Sequence, residues 1–367
     1  MGKRELLLIL AFAAIGIVLY QLSAPPGTSN SRFNFGQLIE SAKREIQGNQ
    51  ARAERKTETT EPIGTDVDEI RLQNVPTVTL VGEDRDDLQL ELNVTSTGFD
   101  TAEAERLARE TTLRLDASGR VVTLAIEYPE AGRQSASLVV RLPSRLRARL
   151  QGARGDTRVT DVAALYLDGT RGDVVVERVA GAIEGNHVGG EVRLSDVGDV
   201  SLTARASDLR IDRVRGDTRL DITGGTVEAA SIGGRFELDG RPSEAAVSAI
   251  GGTARVNVRG GRVALRGVGN EVRFDGRSTD FELALERPAA VTAIATGGSI
   301  RFVAPATGGF TLDAVASEGR VRVTDLDVPV TDTGPGQRAS AAVRGGGPTV
   351  ALRATDGSID IRATTTR

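Results

Sequence analysis

GDVVVERV (Gly172–Val179) and GEVRLSDV (Gly190–Val197) put apolar side chains at the same three places. They are Val174, Val176 and Val179 in one, and Val192, Leu194 and Val197 in the other. The pattern is apolar, polar, apolar, a break, and one more apolar residue. Its period-two part is a half-buried strand, because successive side chains of a strand point to opposite faces. The leading Gly or Gly-Asp supplies the positive φ or local hydrogen bond of a tight turn. The pattern recurs in both directions: GDTRVTDV at Gly155, DLRIDRV at Asp208, GTVEAASI at Gly225, GRFELDG at Gly234, GTARVNVR at Gly252, GRVALRGV at Gly261 and NEVRFDG at Asn270. Weaker copies at Gly181, Asp199 and Gly216 fill the gaps, so starts step by eight or nine residues and two steps give 17 or 18.

Short strands at regular spacing allow an antiparallel sandwich or barrel, or a parallel winding. The fixed period favours the winding, because stacked coils need the same apolar register at a constant offset. The expectation is an all-β chain, a parallel β-helix (β-solenoid) of 17–18 residues per coil, filling residues 151–367. Looser copies continue to Ser358 (SIDIRAT), and Thr331–Pro348 reads as an irregular Gly- and Pro-rich loop.

Composition agrees. The 367 residues include 43 Gly but nine Phe, three Tyr and no Trp. Such a core is built of Val, Leu, Ile and Ala in many similar thin layers. Cysteine is absent, which excludes disulfides, thiol nucleophiles and Cys-ligated metals. His187 is the single histidine, so a Ser-His-Asp triad or His-rich metal site begins badly. A net charge of −4 with mixed signs asks for no nucleic acid.

Leu6–Leu22 (LLLILAFAAIGIVLYQL) carries no charge and follows Lys3 and Arg4. Residues 1–24 are therefore expected to be a transmembrane signal-anchor, with the body outside the cytoplasm. A cleaved signal is the rival, opposed by Leu22 and Pro25 around the cut after Ala24. Residues 25–65 read as a flexible polar linker. Residues 66–150 hold strand-like runs and one helix, Thr101–Thr111 with Thr101 as N-cap, and read as a cap for the first coil.

The membrane segment, the lead-in with TAEAERLA, the stretch VVRLPSRLRARLQGARGDTRV (139–159) and the serial G-D-x-x-V/L units together resemble the bacterial DUF4097 family of "putative adhesin" β-strand-repeat proteins. The resemblance spans residues 66–361. It implies a right-handed β-helix, exported and often anchored, with no enzymatic role and no catalytic, cofactor or metal residues to carry over.

Several residues invite a sharper reading. Arg-Gly-Asp occurs at 154–156, 171–173 and 215–217, as an adhesion motif or simply as the turn of the repeat; the turn reading is preferred. Double glycines at 224–225, 233–234, 251–252 and 260–261 lack the Gly and Asp that a calcium β-roll needs next. His187 reads as a solvated turn residue. Asp156, Asp173, Asp196, Asp208, Asp217, Asp239 and Asp275 offer pairs across coils for glycan hydrolysis, against the scarcity of aromatic platforms. Asn93-Val94-Thr95 is a sequon without weight. The preferred expectation is a non-enzymatic, membrane-anchored envelope scaffold or adhesin-like surface, with no cofactor, and an envelope protein or polysaccharide as partner. Self-association through an uncapped C-terminal coil and a glycan-active enzyme are the alternatives.

Overall fold

The computed structural model describes residues 51–130 and 132–364. The anchor expected at 1–24, and the linker up to residue 50, lie outside the described residues. Among the described residues no helix is long and apolar enough to cross a membrane. They form an all-β structure: one open, many-stranded sheet and one short helix.

From residue 147 to 304 every strand pairing is parallel, and the strands fall into two ladders. The first runs through Arg147–Gln151, Ala164–Thr170, the leading halves of Ile183–Val197 and Val200–Val214, then Thr218–Thr223, Phe236–Arg241, Ala254–Arg259, Glu271–Arg277 and Ala290–Thr296. The second runs through Thr157–Thr160, Val174–Glu177, the trailing halves of the same two long strands, Thr226–Ile232, Glu244–Ile250, Arg262–Val268, Asp280–Ala284 and Ile300–Ala304. One strand of each ladder, taken in sequence, makes a rung. Partners stand 17 to 19 positions apart, as in Arg147 with Ala164, Thr218 with Phe236 and Glu271 with Ala290.

This register stacks like on like. Val159, Val176, Leu194, Ile211, Ala229, Val247, Leu265, Leu283 and Phe302 form one continuous buried column. Burying each Val, Leu or Ile contributes about 1.5–3 kcal/mol, so the columns are the main cohesive term. A second buried column explains the break in the repeat. Val162, Val179, Val197, Val214, Ile232, Ile250 and Val268 each follow a residue with positive φ: Asp161, Arg178, Asp196, Arg213, Ser231, Ala249 and Gly267. The left-handed residue resets the alternation, so the next side chain faces inward after two outward ones.

Both ends are threaded rather than simply stacked. Glu69–Gln73 lies between Val121–Glu127 and Arg147–Gln151, parallel to each, and Thr77–Glu83 lies between Gln134–Pro143 and Thr157–Thr160. Antiparallel strands cover the outside: Thr112–Ser118 on the first ladder, Asp87–Gly98 and then Ala51–Pro62 on the second. At the other end Thr349–Thr355 lies between Ala290–Thr296 and Phe310–Ala316, and Ile359–Ala363 between Ile300–Ala304 and Val321–Thr324.

Four expectations are corrected. Residues 51–62, assigned to the linker, are a strand paired along its whole length with Asp87–Gly98. Its polar alternation suits an edge strand, where charge discourages further pairing. Thr331–Pro348 is not irregular throughout: Gln337–Val343 covers Phe310–Ala316 antiparallel, and Val330–Asp332 pairs with it. The segment ending in SIDIRA is not a bare terminal coil, because its strands are inserted between two others. Finally, the helix Thr101–Glu110 is capped by Asp100, not Thr101: Asp100 Oδ1 accepts from the Glu103 N–H at 2.8 Å, and Glu103 Oε2 accepts from the Phe99 N–H at 2.6 Å.

Candidate functional site

The Gly-Asp corners do structural work. Asp173, Asp199, Asp208 and Asp217 each use Oδ1 to accept a backbone N–H eighteen residues on, from Glu191, Asp217, Thr226 and Arg235, at 2.7–3.0 Å. Asp280 accepts in the same way from Ser299, nineteen residues on, whose hydroxyl and N–H hold its carboxyl below the usual range. Each carboxylate thus clips one rung to the next. The Arg-Gly-Asp triplets at 171–173 and 215–217 are such clips, and they sit at different corners: the first leads from the first ladder to the second, the other back again. At 154–156 Asp156 is exposed at the corner preceding Thr157.

The double glycines are of two kinds. Gly224–Gly225 and Gly260–Gly261 have φ of +74°, +84°, +79° and +75° and turn the chain at one corner. A Cβ on Gly225 would collide with the Ser207 carbonyl oxygen. Gly233–Gly234 and Gly251–Gly252 have no left-handed φ; there, main chain stacks directly on main chain. Among the described residues no three His, Cys, Asp or Glu side chains gather as a metal site.

His187 is not a solvated turn residue. It is 1% exposed, faces inward, and is stacked between Thr170 and Ala204. Its Nδ1 lies 3.0 Å from Thr170 Oγ1, and Nε2 has no hydrogen-bond partner among the described residues. Burial pushes its pKa down, against smaller upward influences from the Gly189 backbone and Asp173. The period-two pattern of IEGNHV carried the signal, with His187 in the place that Ala204 and Ile222 take on later rungs.

Asp196 pairs with Arg213, which lowers its pKa, and Asp239 and Asp275 lie on the outer face. Asn93 is mid-strand, its amide donating to Glu91 Oε1 at 3.0 Å. No two of the seven aspartates singled out are register partners in adjacent strands. Asp239 instead stands beside Asp221, which the sequence reading passed over.

Two surface features remain. An open groove of about 550 Å³ follows the left-handed corner, floored by Ser231, Ala249 and Gly267 and bounded by Arg213 at one end and Glu286 at the other. The outer face of the first ladder carries two parallel columns. Ser201, Arg219, Glu237, Arg255 and Arg273 form one; Thr203, Asp221, Asp239, Asn257 and Asp275 the next. Along the strand ends, Arg205, Thr223 and Arg241 stand in register, as do Arg259 and Arg277 on the strands that follow. A depression of about 460 Å³ lies over the two columns.

No family model matches the chain, and no curated protein is significantly similar to it. Solved structures do align. A putative adhesin from Parabacteroides distasonis is 12% identical, with a TM-score of 0.34 over 68% of this chain and 97% of that one. A putative adhesin from Bacteroides fragilis is 12% identical, with a TM-score of 0.30 over 86% and 98%. A putative lipid binding protein from Parabacteroides distasonis is 12% identical, with a TM-score of 0.28 over 87% and 98%. At these scores the likenesses carry no argument about function.

Proposed function

We propose that the chain is a non-enzymatic binding surface of a bacterial envelope, of the DUF4097 kind. Its body is a right-handed parallel β-helix held outside the cytoplasm by Leu6–Leu22, and its long outer faces grip a partner through many weak polar contacts. The observation that supports this is the set of outward charged columns, which repeat at one-rung spacing over successive strands. The register that stacks the inward columns also spaces these outward side chains evenly, and a partner with its own repeat can match that spacing.

The test uses the full chain produced in a Gram-negative host. Membrane fractionation with external protease should find the chain in the membrane fraction and its body cut only from the extracytoplasmic side. Detergent-solubilised full chain should be retained on isolated envelopes, and less so as salt rises. A cytoplasmic body, or no retention at low salt, overturns the reading. So does depolymerisation of any polysaccharide by the chain that is lost in Asp221→Asn or Asp239→Asn.

A further inference from the structure

Over most of the surface, arginines meet acids one rung away. Arg178 pairs with Asp161, Arg213 with Asp196, Arg219 with Glu237 and Arg301 with Glu282. The middle of the first ladder breaks this habit. Arg255 stands opposite Arg273, and Arg259 opposite Arg277, with Arg241 at the end of the preceding strand. All five are exposed, and the guanidinium groups of Arg241, Arg255, Arg259 and Arg277 have no hydrogen-bond or ion-pair partner among the described residues. Like charges directly opposite one another on neighbouring strands are destabilising. Between Arg255 and Arg273 on one side and Arg241, Arg259 and Arg277 on the other runs a row of acceptors, Asp239, Asn257 and Asp275, continued by Ile294, which is 43% exposed; the place before Arg255 is taken by Glu237, which is engaged by Arg219.

The chemistry of such a face is specific. Arginine forks bind carboxylates in bidentate fashion. A central row of Asp and Asn accepts hydrogen bonds from hydroxyls but repels a polymer that offers only negative charge. Ile294 offers an apolar contact to the C–H face of a ring. Rungs repeat at about 4.8 Å, close to the length of one linked sugar ring. Carboxylates on both flanks, hydroxyls in the centre and this repeat together describe one ligand class.

Resting on the binding-surface reading above, we propose that the strands Phe236–Arg241, Ala254–Arg259 and Glu271–Arg277 hold a linear acidic polysaccharide. The sugar chain runs across these strands, along the stack, with its uronate carboxylates on the flanking arginines and its hydroxyls on the Asp–Asn–Asp row. The ligand class is a chain of uronic acid residues, bound without cleavage.

The experiment is calorimetric titration of the detergent-solubilised full chain with polygalacturonate oligomers, their methyl esters, and single-stranded DNA as a polymer with charge but no uronate. Polygalacturonate should bind at low salt and the ester should not. Arg255→Gln with Arg259→Gln should weaken binding by about tenfold or more, the loss expected when a bidentate contact goes. Asp239→Ala with Asp275→Ala should also weaken it. Arg210→Gln, on the second ladder, should leave it unchanged. Absence of polygalacturonate binding, equal binding of the ester, or indifference to the arginine changes overturns the proposal. So does DNA binding as tight as uronate binding that tightens further in the Asp variant, since that is charge attraction alone. Envelope retention without uronate binding removes only this assignment; loss of both removes the binding-surface reading as well.

Discussion

Arg178 lies one rung above Asp161 and clasps it with two hydrogen bonds, Nε to Oδ1 and Nη2 to Oδ2, each 2.8 Å. Both residues have positive φ, and both precede a buried valine. The guanidinium holds the Asp161 carboxyl below the usual carboxylate range. A depressed carboxyl stabilises the fold above its unfolded pKa, and that contribution is lost as pH falls through the folded value. Because both side chains are solvated, the effect on stability is small and screened by salt. Arg178→Gln should return the Asp161 titration to the ordinary range in a carboxyl-resolved NMR experiment. An unchanged Asp161 midpoint in that variant refutes the pairing.

The same corner predicts a stabilising change. Ala249 has φ of +53°, and a left-handed backbone costs a non-glycine residue about 1–2 kcal/mol. Gly267, one rung on, already has the permissive residue at φ +62°. Ala249→Gly should therefore raise stability by about 1 kcal/mol, net of the extra freedom glycine gives the unfolded chain. Gly225→Ala should do the reverse by a larger amount, since strain and collision with Ser207 add. Denaturant midpoints measure both, and a destabilised Ala249→Gly would show that the corner is not strained.

How much of this was readable beforehand depends on what each residue has to do. The inward columns were visible because Val174, Val176, Val192 and Leu194 must be apolar wherever the rung lies. The left-handed corner was not, because Asp, Arg, Ser, Ala and Gly all occupy it and share no chemistry. Ala51–Pro62 was missed because an edge strand with one paired side has no need of an apolar alternation. The arginine face was within reach: RVNVR at 255–259 and RFDGR at 273–277 stand one 18-residue period apart, and a fixed register puts them side by side. What no local pattern encodes is which rung sits beside which, since SIDIRA would fit against any aliphatic neighbour.

His187 gives the fold a pH dependence of definite sign. Its folded pKa is lowered by burial, so the unfolded chain binds the extra proton first. Stability is then full above the unfolded value of about 6.5 and declines as pH drops from there towards the folded value. The groups facing the ring are the Thr170 hydroxyl, the Gly189 backbone and the Asp173 carboxylate, and the last two only moderate the shift. His187→Leu should abolish the slope of stability against pH in this window, whatever it does to absolute stability through Thr170. A slope that survives in the variant would place its origin elsewhere.

The threading at the C-terminal end can be tested by removing what comes last. Thr349–Thr355 fills the space between Ala290–Thr296 and Phe310–Ala316, so these two earlier strands have no direct pairing with each other. Were the rungs laid down strictly in order, a chain ending at Pro348 would lose one rung and keep the others. With the inserted order, Phe310–Ala316 loses its partner on the inner side and keeps only Gln337–Val343. A two-stranded remnant is marginal in water. Hydrogen exchange of the chain truncated after Pro348 should show Phe310–Ala316 unprotected, although it lies well before the cut, while Thr218–Thr223 and Phe236–Arg241 stay protected. Intact protection of Phe310–Ala316 would mean that the strands stack in sequence order after all.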